Sequence, residues 1–120
     1  MSKKTVIIGA TPNEDRYAYL AANRLVRHGH EIVNVGIKKG EVAGVPIEKA
    51  GDVHADVDTV TLYVGPSHQP EYYDYILRTK PKRIIFNPGT ENADLEDLAQ
   101  QNGIETVEGC TLVMLGSGQY

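Results

Sequence analysis

Residues 6–8, Val-Ile-Ile, form an apolar run with no polar alternation, and the run stops at Gly9. A strand that is apolar on both sides is one buried on both faces, as in a parallel sheet. Downstream, apolar residues recur at Ala18, Ala21, Ala22, Leu25 and Val26, ahead of Gly29. Those offsets make one stripe of a helix, and its three alanines let the helix lie close to a sheet. Arg24, Arg27 and Glu31 fall off the stripe, and Gly29 suits the left-handed residue that ends a helix. Residues 32–35 repeat the strand pattern. Strand, helix and strand predict a βαβ unit with a right-handed crossover.

Residues 38–56 read as a loop-rich connection through Gly40, Gly44, Pro46 and Gly51, with a short edge segment at 45–47. A third strand is expected over 59–64. Pro70 opens a second helix, with Tyr73, Ile76, Leu77 and Lys80 at helical spacing. Residues 83–86 make a fourth strand. Asn92 caps a third helix whose stripe is Leu95, Leu98, Ala99 and Asn102, closed by Gly103. A fifth strand follows at 105–108, and 110–115 read as a final helical turn. This alternation predicts an α/β fold: one doubly wound domain over residues 1–120, with a five-stranded parallel sheet, helices on both faces and strand order 3-2-1-4-5. Ligands of such sheets sit beyond the carboxyl ends of the strands, where the order reverses. The loops at that end are 9–16, 36–39, 65–69, 87–92 and 109–111.

Composition agrees with a packed core, because 41% of the 120 residues are hydrophobic and 23% charged, with no biased tract. No apolar run has membrane-spanning length, and the one after Lys4 is too short for a signal peptide, so no membrane partner is expected. The single cysteine, Cys110, cannot form an internal disulfide, which fits a reducing, cytoplasmic compartment. The net charge of −4 is uneven. Residues 1–40 hold seven bases and three acids, whereas the rest holds five bases and thirteen acids. A basic part on an acidic chain suits a small polyanion rather than a nucleic acid.

The first loop offers Gly9, the small residues Ala10 and Thr11, then Asn13 and Arg16. A helix N-terminus behind such a turn attracts anions, because its free N–H groups and its dipole point at them. Residues 11–14 also match a capping box, with Thr11 as cap, Pro12 first in the helix and Glu14 reaching back. Arg16 either forks onto phosphate oxygens or pairs weakly with Glu14 or Asp15. A branched side chain at Gly9 is expected to block phosphates while leaving the fold intact. An NAD site needs an acid at the end of the second strand to hold ribose hydroxyls. Here that place reads Gly36-Ile37-Lys38-Lys39, which favours a ribose carrying a phosphate, as in NADP or coenzyme A.

Evident catalytic machinery is lacking. His28 and His30 flank a capping glycine, His54 has no evident partner, and no His/Cys/Asp/Glu group has metal-ligand spacing. His68 is expected to face the cleft beside Ser67, but adjacent side chains rarely meet and Ser67 serves equally as a cap. Cys110 is either a reactive thiol at a helix start or a small buried residue. Tyr72, Tyr73 and Tyr75 crowd one helix, which homodimerisation through that helix would explain.

Taken in order, several short motifs carry a resemblance. They are Gly9-Ala10-Thr11 with Pro12-Asn13 and Arg16-Tyr17, His28-Gly29-His30, Lys38 after the second strand, and Asn87-Pro88-Gly89 after the fourth. Over essentially its whole length the chain resembles the stand-alone CoA-binding domain family, Rossmann-like modules similar to the CoA-binding domain of succinyl-CoA ligase. It departs from the usual family pattern with Gly36-Ile37 in place of Asn-Pro and Asn87 in place of Gln. It also has Tyr63-Val64-Gly65 where many members place an arginine. The resemblance implies that Gly9, Ala10 and Thr11 cradle a pyrophosphate through their backbone while Arg16 or Lys38 neutralises phosphate charge. Val35 and Gly36 would flank adenosine, and Gly89 would let pantetheine pass. Asn13, Tyr17, Val64, Asn87 and Pro88 complete the implied contact set. The expected function is binding of coenzyme A, an acyl-CoA or a related adenine nucleotide. The alternatives are an NADP-binding reductase-like module, or an interaction or regulatory domain with a vestigial nucleotide site.

Overall fold

In the computed structural model, which describes residues 2–120, β1 (Thr5–Ile8) lies inside a seven-stranded sheet with all four residues buried. On one side it pairs in parallel with β2 (Ile32–Val35), and beyond β2 comes a hairpin of β3 (Glu41–Val42) and β4 (Val45–Glu48). β4 runs parallel to β2, and β3 closes the edge antiparallel. On the other side of β1 follow β5 (Thr59–Leu62), β6 (Arg83–Phe86) and β7 (Glu105–Glu108), all parallel.

Seven strands replace the five expected, and the order 3-2-1-4-5 is corrected. The third strand of the sequence pattern, β5, pairs with β1 in the register Thr5↔Thr59 and not with β2. The outer edge of β2 is already taken by the hairpin, built from a connection in which the expected edge segment at 45–47 becomes β4 and β3 is an addition. Asn34, buried in β2, holds it there: its Nδ2 donates to the carbonyls of Val42 (3.1 Å) and Val45 (3.0 Å). Counted over the five predicted strands alone, the order is 2-1-3-4-5, and it reverses between β1 and β5.

Four α-helices cover both faces. α1 (Tyr17–Arg27) and α4 (Thr111–Ser117) share one core with Ile7, through Ala18, Ala22, Leu25 and Leu115. On the opposite face, Val6, Ile8 and Phe86 pack against α2 (Tyr73–Thr79) and α3 (Ala93–Gln101), through Ile76, Leu95 and Ala99. The stripe of α1 is narrower than expected. Val26, about 100° round the helix from Leu25, is exposed. Gly29 ends the helix at φ +84°, its N–H donating to Val26 O and the His30 N–H to Leu25 O. Asn92 caps α3 as the pattern predicts, its Oδ1 accepting from Asp94 N and Leu95 N.

The capping box at residues 11–14 does not form. The Thr11 hydroxyl accepts from Asn13 N (3.2 Å), and Asn13 Oδ1 accepts from Asp15 N (3.0 Å). Those local turns compete with helix, so α1 begins only after Arg16. Pro70 likewise opens a 3₁₀ turn, and the α-helix proper follows at Tyr73. Tyr72 and Tyr75 are buried, and Tyr73 packs against the same core, its hydroxyl accepting from Asn92 Nδ2. The three tyrosines therefore serve the interior, and the argument they gave for a homodimer falls away. Among the described residues, no helix is long and apolar enough to cross a membrane.

Candidate functional site

The carboxyl ends of β1, β2, β5 and β6 open onto a cleft of about 720 Å³, within the ~300–1,000 Å³ typical of small-molecule sites. One wall comes from the loop after β1 and the start of α1, with Gly9, Ala10, Thr11, Asn13, Arg16 and Tyr17, joined by Gly36 and Lys38 after β2. The facing wall comes from the loops after β5 and β6, and includes Val64, Pro88 and Gly89.

Val35 and Asn87 do not reach the cleft. Val35 is fully buried, and its carbonyl accepts the N–H groups of both Gly9 (2.9 Å) and Ala10 (3.0 Å). The expected backbone cradle is corrected accordingly: Gly9 and Ala10 have no free N–H to offer. Asn87 is a buried strut. Its Nδ2 donates to the Thr61 hydroxyl (2.7 Å) and Leu62 O (2.8 Å), while its Oδ1 accepts from Thr111 N (2.9 Å). It ties β5, β6 and α4 together behind the cleft floor.

The donors that remain lie further along. Among the described residues, the N–H groups of Thr11, Tyr17 and Ala18 have no acceptor. The last two belong to the first turn of the eleven-residue α1, where the helix dipole also favours an anion. Arg16 stands at the N-cap of that helix, exposed, and Lys38, in the loop after β2, lines the same cleft. Neither makes an ion pair among the described residues, so of the two roles open to Arg16 the surface pair with Glu14 or Asp15 is not formed.

Two glycines shape this wall by contact. Gly9 has φ +99°, and a Cβ there would stand 2.9 Å from the backbone carbon and oxygen of Tyr63. A branched residue at Gly9 would therefore strain the fold itself, contrary to the expectation that only ligand binding would suffer. A Cβ on Gly36 would stand 2.5 Å from the Ala10 carbonyl oxygen. The glycines at both strand ends were visible in the sequence, but their backbone neighbours were not.

Glu71 and Thr90, which the sequence did not single out, complete the facing wall together with Gly65 and Tyr72, and Ile37 and Tyr17 are exposed apolar groups on the rim opposite. Burial, and then the Glu71 carboxylate beside it, push the Tyr72 phenol above its usual pKa. His68 lines the cleft as expected, and Ser67 is not among the lining residues. The other histidines lie elsewhere. His54 Nε2 meets Glu48 Oε2 at 2.8 Å, and His30 Nδ1 accepts from Lys3 N at 2.9 Å. Cys110 is half-buried at the N-cap of α4, outside the cleft lining.

Comparison with known proteins places this geometry. A family model described as a CoA binding domain matches residues 3–116. Nothing among curated proteins matches the chain. A solved structure of an uncharacterized protein is 59% identical and superposes with a TM-score of 0.97, covering 100% of this chain and 99% of its own. A hypothetical protein from Pyrococcus horikoshii is 25% identical at a TM-score of 0.88, over 97% of this chain and 83% of its own. A Thermus thermophilus protein at 20% identity, TM-score 0.86, covering 99% and 91%, shares the fold.

Proposed function

The chain belongs to the CoA binding domain family, and on that premise we propose that residues 1–120 act as one unit that binds coenzyme A or an acyl-CoA in this cleft. The pyrophosphate would lie at the N-terminus of α1, against the free N–H groups of Thr11, Tyr17 and Ala18 and the Arg16 guanidinium. Ribose binding at the end of the second strand is the general habit of such sheets, so the ribose phosphate would lie over Lys38, with the base against Gly36 and Ile37. The pantetheine arm would then cross the reversal point onto Val64, Gly65, Pro88 and Gly89, where nothing lies within 4 Å of the Cβ positions of Gly65 and Gly89. The thiol supplies the acyl-carrying chemistry, and the residues of this chain bind and orient it. Binding of this kind needs no catalytic residue, and the single half-buried cysteine suits a reducing compartment such as the cytoplasm.

One observation carries the reading. The cleft joins unpartnered helix N–H groups to two cations, Arg16 and Lys38, that make no ion pair among the described residues, although the Asp15 and Glu71 carboxylates line the same cleft. Titration calorimetry with coenzyme A, 3′-dephospho-CoA, NADP and NAD tests it. Coenzyme A is expected to bind most tightly and NAD least. Equal affinity for coenzyme A and its dephospho form would remove Lys38 from the argument. Tighter binding of NADP would favour a reductase-like module, and no heat with any of the four would leave a vestigial site.

A further inference from the structure

The wall formed by the loops after β5 and β6 is held by a polar side chain that sequence reasoning passed over. Gln69 lies between two 3₁₀ turns, Pro66–His68 and Pro70–Tyr72, and is completely buried. Its Nε2 donates to Val64 O (3.0 Å) and to Thr90 O (2.8 Å), and its Oε1 accepts from Asn92 Nδ2 (2.9 Å). Val64 and Thr90 both line the cleft, one in each loop. Asn92 passes the constraint onward, since its Nδ2 also donates to the Tyr73 hydroxyl and its Oδ1 caps α3.

We propose that Gln69 is a positioning residue for the ligand. Its amide sets the spacing between the two loops on which the pantetheine arm lies. The proposal rests on the coenzyme A reading above. The chemistry at this point is selective. Two carbonyl oxygens need two N–H donors and one amide N–H needs an acceptor, and a primary amide supplies all three from a planar group. A carboxylate would turn its oxygens on two carbonyls, and an alkyl group would leave the Val64 and Thr90 carbonyls and one Asn92 amide N–H without this partner. The opposite wall differs in kind, because residues 11–16 are held by short-range turn bonds. The molecule therefore presents the arm with a fixed bed and the phosphates with a locally built loop. Fixing the bed in advance lowers the ordering cost of binding.

The test compares two probes, coenzyme A and adenosine 3′,5′-bisphosphate, which lacks the pantetheine arm, on the folded wild-type chain, Gln69→Leu and Gln69→Glu. Gln69→Leu is expected to weaken coenzyme A by about tenfold or more, and adenosine 3′,5′-bisphosphate by less than about twofold. Gln69→Glu should approach wild-type affinity for coenzyme A near pH 6, where a buried carboxyl facing two carbonyls keeps its proton and can still donate one bond. Relative to wild type, its affinity should fall as the pH rises and the proton is lost. Equal losses for both probes, unchanged coenzyme A affinity, or a flat pH profile for Gln69→Glu would each overturn the positioning role. Should neither variant fold, the wild-type chain decides by nitrogen-15 NMR. The Gln69 side-chain amide must exchange slowly and shift with coenzyme A but not with the bisphosphate, and a rapidly exchanging amide overturns the proposal. Failure of wild-type coenzyme A binding overturns the functional reading and this inference together. Intact wild-type binding with an unaffected variant overturns this inference alone.

Discussion

Gly36→Ala adds one methyl group at the tightest glycine of the cleft. Its Cβ would stand 2.5 Å from the Ala10 carbonyl oxygen and 3.3 Å from the Ala10 nitrogen. Carbon–oxygen contacts settle near ~3.3 Å or more, so the loop must retreat by roughly 0.8 Å. It cannot retreat freely, because the Gly9 and Ala10 N–H groups are bonded to Val35 O, one residue before the substitution. Overpacking of this kind costs about 1–3 kcal/mol, and straining two backbone hydrogen bonds adds up to about 1 kcal/mol each. Reduced freedom of the unfolded chain returns about 0.4–1 kcal/mol. The net expectation is a destabilisation of about 2 kcal/mol, the centre of a span from about 0 to about 4.6 kcal/mol, read as a lower urea midpoint at unchanged slope. Gly65→Ala is the matched control on the facing wall. Its φ is −67° and nothing lies within 4 Å of the new Cβ, so it should be neutral or stabilise by up to about 1 kcal/mol. If the two variants unfold within about 0.5 kcal/mol of each other, the close approach of Gly36 to Ala10 is not a constraint and the reasoning fails.

Arg16→Ala should weaken coenzyme A by about 1.5–3 kcal/mol by calorimetry, with Arg16→Lys only partly restoring it because the fork is lost. As Arg16 makes no ion pair among the described residues, the melting temperature should hold, and a fall in melting temperature at unchanged affinity would refute the phosphate role. Gly9→Val should lose stability outright, through positive φ and the Tyr63 backbone, so wild-type unfolding by circular dichroism would contradict the contact geometry. Asn87→Ala, which leaves Thr111 N and Leu62 O without their buried partner, should cost on the order of 3 kcal/mol in a denaturant titration. His30, its pKa lowered first by burial and then by His28 and Lys3, stays neutral in the fold at pH values where the unfolded chain takes up a proton. Its contribution is present above the unfolded value of 6.5 and falls as the pH drops below it. The urea midpoint should therefore drop between about pH 7.5 and about pH 5.5, less steeply in His30→Gln.

Much of the site follows from local pattern. The apolar run of β1, the alanine stripe of α1, the Asn92 cap and Lys38 after β2 are short-range features, and each puts its residues where the sequence places them. The location of the cleft needs only that strands and helices alternate, because parallel strands bring all their carboxyl ends to one side. Arg16, Lys38, Gly89 and most of the contact set reach the cleft for that reason.

What the pattern leaves open is pairing between distant segments. Nothing within β5 says that it joins β1 rather than β2. In the fold the other edge of β2 is occupied by the hairpin of β3 and β4, paired through the β2–β4 ladder and the buried Asn34 amide. Asn87 and Gln69 belong to the same class, since a polar residue reads as a ligand contact or a loop residue until the carbonyls around its amide are known. Gly9 and Gly36 read as strand-end glycines that admit a ligand, whereas a side chain at either would meet the backbone of Tyr63 or Ala10. Sequence alone determined five of the strands, most of the helices and the end of the sheet at which the cleft opens, because period and capping act over a few residues. Strand order, the loss of the Gly9 and Ala10 N–H groups to Val35 O and the Gln69 tie between the two loops came only with the tertiary structure, because each depends on groups far apart in the chain meeting at hydrogen-bond distance.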